Sequence, residues 1–560
     1  MTNAPLEQAI AERLALWQEE RVADRLWARD GTLWAASGKD PDEVAAWLGW
    51  LDLPDGMGAE IDEFERLARE IRADGYRRAA VLGMGGSSLA PELFSRAFDP
   101  GADGLELRIL DSTHPDAVRG FREWAQSART LFCVSSKSGS TTEPNAFHAA
   151  MADVAPALDF VAITDPDSTL AELARAQEFR AIVDGRPDVG GRYSALSAFG
   201  LLPAALAGVD LRRLMDSASG MAAACRRPGP DNPGLALGAW MGEAARAGRD
   251  KLTLLTSPGL ASFGDWVEQL VAESTGKAGT GIVPVVGEPL RDPDDYGDDR
   301  CFVLLRTRGE LVPEHEALAG ELASAGHPVE RLEVEDAYGL GAEFVRWEVA
   351  TAAAGIVLGI DPFDQPNVQE SKDATKALLD AYRRDGSLPA PAPIVAETGV
   401  AAHATPSALA DEPVTVDGAV RALIETIAAA DYLAILAYLP QDPDTEERLQ
   451  ALRRRVGEAA GVATTLGFGP RFLHSTGQLH KGGPPSGVFL QITAEPRRDL
   501  PIPGWEESFG TLVAAQALGD LASLQRRERR ALRLHFSDAD TVVDRLVELV
   551  ERALPATART

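Results

Sequence analysis

Short runs rich in apolar residues alternate along this chain with longer stretches in which apolar residues recur at helical spacing. These runs predict strands at 79–82, 107–110, 131–134, 160–164, 251–255, 301–306, 329–335, 432–439, 488–494 and 531–536. Helices are predicted over 343–358 and 540–554, among others. Strands that alternate with helices in this way are typical of a parallel sheet covered on both faces. The pattern therefore predicts an α/β fold of doubly wound, three-layer αβα sandwiches.

Shifts in composition divide the chain into five predicted parts. Residues 227–233, rich in Pro and Gly, form a predicted linker between two domains. The predicted parts are an N-terminal helical arm (1–60), a first domain with the phosphate loop (61–226), the first part of a second domain (234–385), a Pro/Ala-rich loop or linker (386–417), and a C-terminal α/β part completing the second domain (418–560).

The composition indicates which binding partners and which cellular compartment to expect. With 560 residues and a net charge of -30, the protein is expected to bind neither nucleic acid nor an anionic membrane surface. Three widely spaced cysteines and the absence of a signal-peptide core favour a cytoplasmic location. The net negative charge of the chain repels anionic substrates, so any phosphate site needs a local positive potential.

The stretch 131–143 carries the strongest chemical signal. A buried strand runs into a cluster of hydroxyls around Lys137, and a helix is predicted to follow, with Ser140 and Glu143 spaced as a capping box. Free amides at a helix N-terminus, hydroxyl donors and an ammonium all favour a phosphate dianion. An ordinary polar turn is the simpler interpretation of this segment alone.

Two further glycine-rich stretches follow predicted strands. The segment 83–88 resembles part of a dinucleotide fingerprint, but Ser88 replaces its third glycine and a second phosphate-type loop follows nearby. Arg192 follows Gly190 and Gly191, which would allow close approach to a ligand; alternatively, it is a surface arginine in a turn.

Taken together, these motifs resemble the glucose-6-phosphate isomerase family. The resemblance spans roughly Leu82 to His480, and it is closest to the isomerase half of fused transaldolase/phosphoglucose isomerase proteins. No segment offers room for a transaldolase barrel. The motifs are Gly-Met-Gly-Gly-Ser, Ser-Lys-Ser-Gly-Ser-Thr-Thr-Glu, Gly-Gly-Arg-Tyr-Ser, Glu-Ser-Thr-Gly-Lys, Phe-Asp-Gln-Pro-Asn-Val-Gln-Glu-Ser-Lys and Leu-His-Ser-Thr-Gly-Gln.

The resemblance implies two sugar-isomerase (SIS) domains, with an active site between them that a second subunit of a homodimer completes. Its implied catalytic residues are Glu273 as the base, Arg192 beside the enediolate, and Lys372 and His474 as the ring-opening pair. The implied substrate- and phosphate-binding residues are Gly86, Ser87, Ser136, Lys137, Ser138, Thr141, Gln269 and Gln365.

Two features depart from the family pattern. Asn367 stands where the family usually has Gly or Ala, which a left-handed turn would tolerate. His474 follows Lys372 in the chain, whereas the usual order is the reverse, and His480 is a rival for its role. A rearranged second domain preserves such a site, since geometry and not chain order defines it.

The residue types fit the interconversion of glucose 6-phosphate and fructose 6-phosphate through a cis-enediol. One carboxylate can carry the proton between adjacent carbons, and neither a metal nor another cofactor is required. Two alternatives remain at this stage: a non-catalytic phosphosugar-binding regulator, and an NAD-linked enzyme. Whether mannose 6-phosphate is accepted depends on the pocket around C2.

Overall fold

Three sheets organise the protein in the computed structural model, which describes residues 4–101, 104–389, 391–409 and 413–554. The strands are β1 Arg78–Leu82, β2 Glu106–Leu110, β3 Thr130–Ser135, β4 Phe160–Thr164, β5 Ala181–Asp184, β6 Lys251–Thr256, β7 Val283–Val285, β8 Arg300–Thr307, β9 Val329–Val334, β10 Val395–Glu397, β11 Val400–Ala404, β12 Tyr432–Tyr438, β13 Ala463–Phe468, β14 Gly487–Ala494 and β15 Arg530–Phe536. Each strand predicted from an apolar run is present, within one residue at most ends.

Helices cover both faces of the sheets and build the N-terminal segment. They are α1 Ala4–Glu19, α2 Val22–Trp27, α3 Pro41–Ala45, α4 Leu53–Gly56, α5 Gly58–Ala73, α6 Leu89–Ala97, α7 Pro115–Gln126, α8 Thr142–Ala152, α9 Thr169–Ala176, α10 Ala198–Leu206, α11 Leu211–Cys225, α12 Pro233–Arg246, α13 Ala261–Thr275, α14 Pro313–Ala325, α15 Leu340–Leu358, α16 Pro366–Asp385, α17 Val416–Glu425, α18 Pro443–Ala460, α19 Gly477–Gly482, α20 Phe509–Arg526 and α21 Val542–Ala553. Within the described ranges, none is long and apolar enough to cross a membrane.

The first sheet is entirely parallel and has the strand order β2-β1-β3-β4-β5. The chain leaves β1 toward β2 on one side and later enters β3 on the other. A crevice therefore opens between the carboxyl ends of β1 and β3, where open α/β sheets bind ligands. The glycine-rich loop after β1 and the hydroxyl-rich loop after β3 meet at that crevice.

The second sheet is also parallel, with the order β7-β6-β8-β9. One continuous apolar core joins it to the first sheet and to the N-terminal helices. The indole N–H of Trp34 donates to the Ala352 carbonyl of α15 at 2.9 Å. The predicted N-terminal arm is helical, as expected, but it packs into this core because its tryptophans and leucines need burial.

The C-terminal part forms a third sheet, with the order β10-β11-β15-β14-β12-β13. It has its own core between the sheet and α17, α18 and α21. The prediction that this part completes the second domain is therefore corrected: it adds no strand to the four-stranded sheet.

The predicted loop at 386–417 is also corrected in part, because it contains β10 and β11. These two strands pair antiparallel with each other, and β11 pairs antiparallel with β15. Val400 and Ala402, two positions apart on β11, are both buried, as expected for one face of a strand. This period-two pattern is difficult to recognise in the sequence, because the surrounding residues are mostly Pro and Ala.

A buried carboxyl in α15 makes the fold sensitive to pH. Glu348 is 1% exposed, and its Oε1 has no hydrogen-bond partner within the described part of the chain. Burial raises the pKa of Glu348 well above its usual range, so the native state holds it neutral.

We expect Glu348→Gln to raise the melting temperature at alkaline pH. Between the unfolded and folded pKa values the unfolded chain binds fewer protons than the native state, so stability falls as pH rises. Melting curves at about pH 5 and about pH 9 should show a larger gain at the higher pH. The exposed Glu321→Gln serves as the control. An equal effect of the two substitutions at both pH values would contradict this assignment.

Candidate active site

Close backbone contacts explain the glycines after β1. Gly85 has φ of 56°, and a Cβ there would lie 2.8 Å from both the Gln269 amide nitrogen and the His474 carbonyl. A Cβ on Gly86 would lie 1.9 Å from the carbonyl oxygen of Gly191. Because neither position has room for a side chain, the loop after β1 can touch both the turn that carries Arg192 and the segment that carries His474.

The hydroxyl-rich loop after β3 is held by its own side chains. Ser136 donates to the Thr141 hydroxyl at 3.2 Å and accepts from the Gly139 amide at 3.1 Å. The hydroxyls of Ser138 and Ser140 are exposed and 2.9 Å apart. This loop leads into the N-terminus of α8, so hydroxyls and the positive end of a helix face the same space.

The predicted capping box between Ser140 and Glu143 does not form. Thr141 is the N-cap residue of α8, and its side chain makes no capping hydrogen bond. The carboxylate of Glu143 instead accepts from the Gln516 amide at 2.7 Å and lies 3.0 Å from Nε2 of His474. A tertiary ion pair thus replaces the local cap that the spacing predicts.

Lys137 points away from the phosphate loop, contrary to its predicted role. Its ammonium donates to Asp165 at 2.6 Å and to the carbonyls of Arg186 and Pro187 at 2.9 and 3.1 Å. A lysine neutralised in this way is a poor ligand for phosphate. Lys137 instead ties the end of β3 to the loop after β5.

Arg192 is buried at the centre of the site. Its Nη1 lies 3.2 Å from Oε1 of Glu273 and donates to Oε1 of Gln365 at 3.0 Å. Its Nη2 donates to the carbonyls of Pro362 and Asp364 at 2.7 and 3.0 Å. Arg192 therefore contacts both the predicted base, Glu273, and one predicted ligand, Gln365, although the three come from separate parts of the chain.

Gln269 connects the Arg192–Glu273 pair to the segment that follows strand β13 of the C-terminal sheet. It lies one turn before Glu273 on α13, and its amide donates to Oε2 of Glu273 at 3.2 Å and to the His474 carbonyl at 2.7 Å. Its own Oε1 is buried without a hydrogen-bond partner among the described residues. An unpaired buried acceptor beside a candidate base is a natural contact for a substrate hydroxyl.

Glu143 is the partner of His474 that sequence reasoning missed. Burial alone would raise the pKa of Glu143, but the charge and hydrogen bond of His474, together with the charge of Lys372, lower it below its usual range. Gln516, which accepts from the Thr113 hydroxyl at 2.6 Å, donates to the same Oε1 of Glu143 that contacts His474. Only the position of Glu143 immediately after the phosphate loop could have suggested this role.

His474 lies in the site of its own chain. The second subunit that the resemblance implies is therefore not needed to supply this histidine. The turn 471–474 follows β13, and its contacts with Glu143 and Gln269 are all intramolecular. His480, its rival, is buried between Phe472 and Phe489, and burial lowers its pKa well below the usual range. The rearranged chain order is thus compatible with the expected geometry.

A cavity of about 480 Å³ lies in front of these residues. Thr141, Glu143, Lys372 and His474 are among its walls. Lys372, on the second turn of α16, is exposed to the cavity and has no ion-pair partner within the described ranges. It is therefore a free cation facing both the phosphate loop and His474.

Two residues next to the predicted ligands have structural roles. Asn367 lies in the first turn of α16 and not in a left-handed turn, and its side chain accepts from the Gln478 amide at 2.8 Å. Lys277 is buried and donates to the Asp361 carbonyl at 2.6 Å, which holds the loop that also binds Arg192. Burial lowers the pKa of Lys277 to about 8, although Asp364 opposes that shift.

Among the described residues, no group of His, Cys, Asp and Glu side chains has the arrangement of a metal site. Fold and site together define a protein of the SIS class, with two parallel αβα domains and a phosphate-type loop at the first switch point. Two solved structures share this fold. They are a hypothetical protein from Thermus thermophilus (TM-score 0.56, 24% identity, 67% of this chain and 98% of that one) and a glucose-6-phosphate isomerase from Chlamydia trachomatis (TM-score 0.52, 18% identity, 67% and 86%).

Sequence comparisons identify the family within that class. The phosphoglucose isomerase model matches residues 74–281. A glucose-6-phosphate isomerase of Rubrobacter xylanophilus is 30% identical over 414 residues, covering 64% of this chain and 93% of that protein. Another, from Symbiobacterium thermophilum, is 31% identical over 396 residues, covering 60% and 87%. The chain belongs to the glucose-6-phosphate isomerase family, which confirms the resemblance seen in its motifs.

The contact between Gly86 and Gly191 gives a matched pair of substitutions. We expect Gly86→Ala to lower stability by about 1–3 kcal/mol, because its Cβ meets backbone that cannot move freely. Gly191→Ala should change stability by less than about 0.5 kcal/mol, because a Cβ there meets nothing within 4 Å. Thermal melts of both variants would measure the difference. Equal melting temperatures would show that the close approach is absent.

Proposed function

We propose that this protein interconverts glucose 6-phosphate and fructose 6-phosphate through a cis-enediol, without a metal or organic cofactor. The observation that carries the proposal is one connected set of side chains. Arg192 contacts Glu273, and Gln269 donates to both Glu273 and the His474 carbonyl. The pair His474–Glu143 in turn lines a cavity beside the phosphate-type loop. A carboxylate base, a fixed cation, a ring-opening acid and a phosphate cradle are the groups this reaction needs.

Hydroxyls and the α8 N-terminus are the proposed phosphate ligands. Ser136, Ser138 and Thr141 surround the start of α8, and Lys372 faces them across the cavity. Gly86 and Ser87 would border the sugar on the side of β1. Lys137, bound to Asp165, is left out of this set and is assigned a structural role.

Glu273 is the proposed base that moves a proton between C2 and C1. The two carbons are adjacent, so one carboxylate on one face of the substrate can take the proton and return it. The guanidinium of Arg192 lies 3.2 Å from Oε1 of this carboxylate. Gln269, which donates to Glu273, fixes the orientation of its carboxylate.

Arg192 is also the proposed stabiliser of the enediolate. Negative charge appears on the O1 and O2 oxygens only as the proton leaves carbon, so a fixed guanidinium lowers the transition state more than the ground state. Five acceptors from two segments, α13 and the loop before α16, hold this guanidinium before substrate arrives. Little reorganisation is then needed during the reaction.

His474 is the proposed acid for ring opening, with Lys372 as its neighbour. A cyclic substrate must gain a proton on its ring oxygen and lose one from its anomeric hydroxyl, which is on C1 in glucose 6-phosphate and on C2 in fructose 6-phosphate. The carboxylate of Glu143, 3.0 Å from Nε2 of His474, fixes the orientation of the imidazole ring that would move such a proton. A homodimer remains a family-based proposal, but this constellation does not depend on one.

We expect Glu273→Gln to reduce the conversion of fructose 6-phosphate by several orders of magnitude, because the amide cannot accept the C–H proton. A coupled assay with glucose-6-phosphate dehydrogenase measures the rate. Protection of the variant against heat by fructose 6-phosphate serves as the control for binding. Saturable binding without turnover in the parent protein would favour a non-catalytic regulator instead.

Glu143→Gln should lower kcat about 10- to 100-fold, because His474 loses the carboxylate that fixes the orientation of its ring. Gln516→Leu removes the second contact of that carboxylate and should have a smaller effect in the same direction. The rate with the open-chain analogue 5-deoxyfructose 6-phosphate, which has no ring to open, should change little in either variant. An equal loss on both substrates would contradict the ring-opening role.

A mixture of two inactive variants tests whether one chain holds the whole site. We expect Glu273→Gln and His474→Asn chains, co-refolded in equal amounts, to stay inactive, because both residues act within one chain. If a second subunit supplied His474, mixed dimers would contain one intact site and regain up to about a quarter of the activity. The recovered activity, with refolded parent protein as the control, decides between these arrangements.

A further inference from the structure

The C-terminal sheet has a switch point of its own. β12 lies between β13 and β14, and the chain leaves β12 through α18 on one face and β14 through α20 on the other. A crevice therefore opens at the carboxyl ends of β12 and β14. In open α/β sheets this position is where ligands bind.

A cavity of about 420 Å³ occupies this crevice. Tyr438 ends β12, Thr493 lies at the end of β14, and Arg533 comes from β15. Tyr382 and the first turns of α20 close the other side. The walls share no residue with those of the active-site cavity, so this is a separate space.

Arg533 is an unneutralised cation in the wall of this cavity. It is 5% exposed, and its Nε donates to the Thr493 hydroxyl at 3.1 Å while Nη2 lies 3.4 Å from Nδ1 of His535. It makes no ion pair with any described carboxylate. Burial lowers the pKa of Arg533 to about 10, a value at which it is still charged at neutral pH.

Most of the other deeply buried arginines of this protein are either paired or bound to backbone carbonyls. Arg300, Arg471 and Arg192 form ion pairs with carboxylates. Arg453 and Arg529 form no ion pair within the described ranges, but each donates to backbone carbonyls. Arg533 differs because it lies in a cavity wall, its Nη1 has no acceptor among the described residues, and its attraction to Glu495 involves no direct contact. A buried guanidinium with a free donor is costly, so this position suits an anion from outside.

The remaining polar groups of the cavity suit the same ligand. The phenol oxygen of Tyr438 is buried and has no hydrogen-bond partner within the described part of the chain, so it can donate. His114 is neutral, because burial lowers its pKa to about 4. The two carboxylates of the wall are already engaged: Glu495 lies 3.2 Å from Nε2 of His535, and Asp499 accepts from the Gly510 amide at 2.8 Å.

We propose that this crevice, with Arg533 and Tyr438 at its base, is a second binding site for a small organic anion, a carboxylate or a phosphate monoester. The anionic group accepts from the free Nη1 of Arg533 and from the Tyr438 hydroxyl. Its carbon body contacts Tyr382, Leu388 and Val513, which give the cavity an apolar wall. This site is independent of the isomerase proposal.

The two sites share helices as walls. α16 presents Lys372 to the active-site cavity and Tyr382 to the crevice, and α20 presents Gln516 and Val513 in the same way. A ligand in the crevice therefore lies one helix away from Lys372 and from the Gln516 contact of Glu143.

The test is calorimetric titration of the full chain with benzoate and with phenyl phosphate, and, in a separate titration, with glucose 6-phosphate, whose binding reports the active site. We expect saturable binding of at least one probe, weakened about tenfold or more by Arg533→Gln. Arg497→Gln, which removes an exposed arginine paired with Asp540, should leave the affinity unchanged. Preference for phenyl phosphate or for benzoate then separates phosphate from carboxylate ligands.

Tyr438→Phe keeps the test decisive if Arg533→Gln fails to fold. It removes only an unpaired buried hydroxyl, so stability should not fall, and probe affinity should drop severalfold. Saturable binding that neither Tyr438→Phe nor Arg533→Gln weakens would overturn the proposal, as would the absence of binding of both probes to the parent protein. A failure of glucose 6-phosphate to bind would count against the isomerase proposal alone.

Discussion

The buried guanidinium of Arg192 is the contact on which the rest of the site depends. It joins the turn after the first sheet to Glu273 and Ser274 on α13, and to the loop that begins α16. All of these partners belong to the second SIS domain, whereas Arg192 belongs to the first, so the contact joins the two domains. The fixed position of Arg192 in turn requires that Gly86 lie against Gly191 without a side chain between them. Two glycines and one arginine thus hold the facing edges of the two domains together.

Charge explains why the site is arranged in this way. A chain of net charge -30 repels a phosphate dianion, and the two cations that sequence motifs place near the loops are neutralised by Glu273 and Asp165. The attraction must then come from Lys372, the His474 imidazole, the hydroxyls after β3 and the N-terminus of α8.

Local features of this protein are predictable from its sequence, whereas long-range partners are not. The ten apolar strands are predictable because a buried parallel strand is recognisable from its own residues. β10 and β11 escape prediction because their pairing with β15 comes from residues far along the chain. The Ser140–Glu143 spacing suggests a helix cap, but Glu143 binds His474, which is 331 residues away in the sequence. The motif assigns Lys137 to phosphate for the same reason: its partner Asp165 lies on another strand end.

The family motif predicts that His474 belongs to the site, but it does not predict correctly which chain supplies it. The resemblance implies that a second subunit completes the site, whereas the turn 471–474 after β13 contacts the first domain of the same chain. Only the tertiary structure shows this connection. In physical terms the site is defined by where the side chains meet, and more than one connectivity reaches that geometry.

The central claim is that Glu273 carries a proton between two carbons of the substrate, and isomerisation in D₂O tests it most directly. Fructose 6-phosphate converted by the parent protein should give glucose 6-phosphate with deuterium at C2, detected by proton NMR, because a proton held on a carboxylate exchanges with solvent before it returns. Glucose 6-phosphate formed without any deuterium would indicate a direct hydride shift, and it would contradict the role of Glu273 as the base.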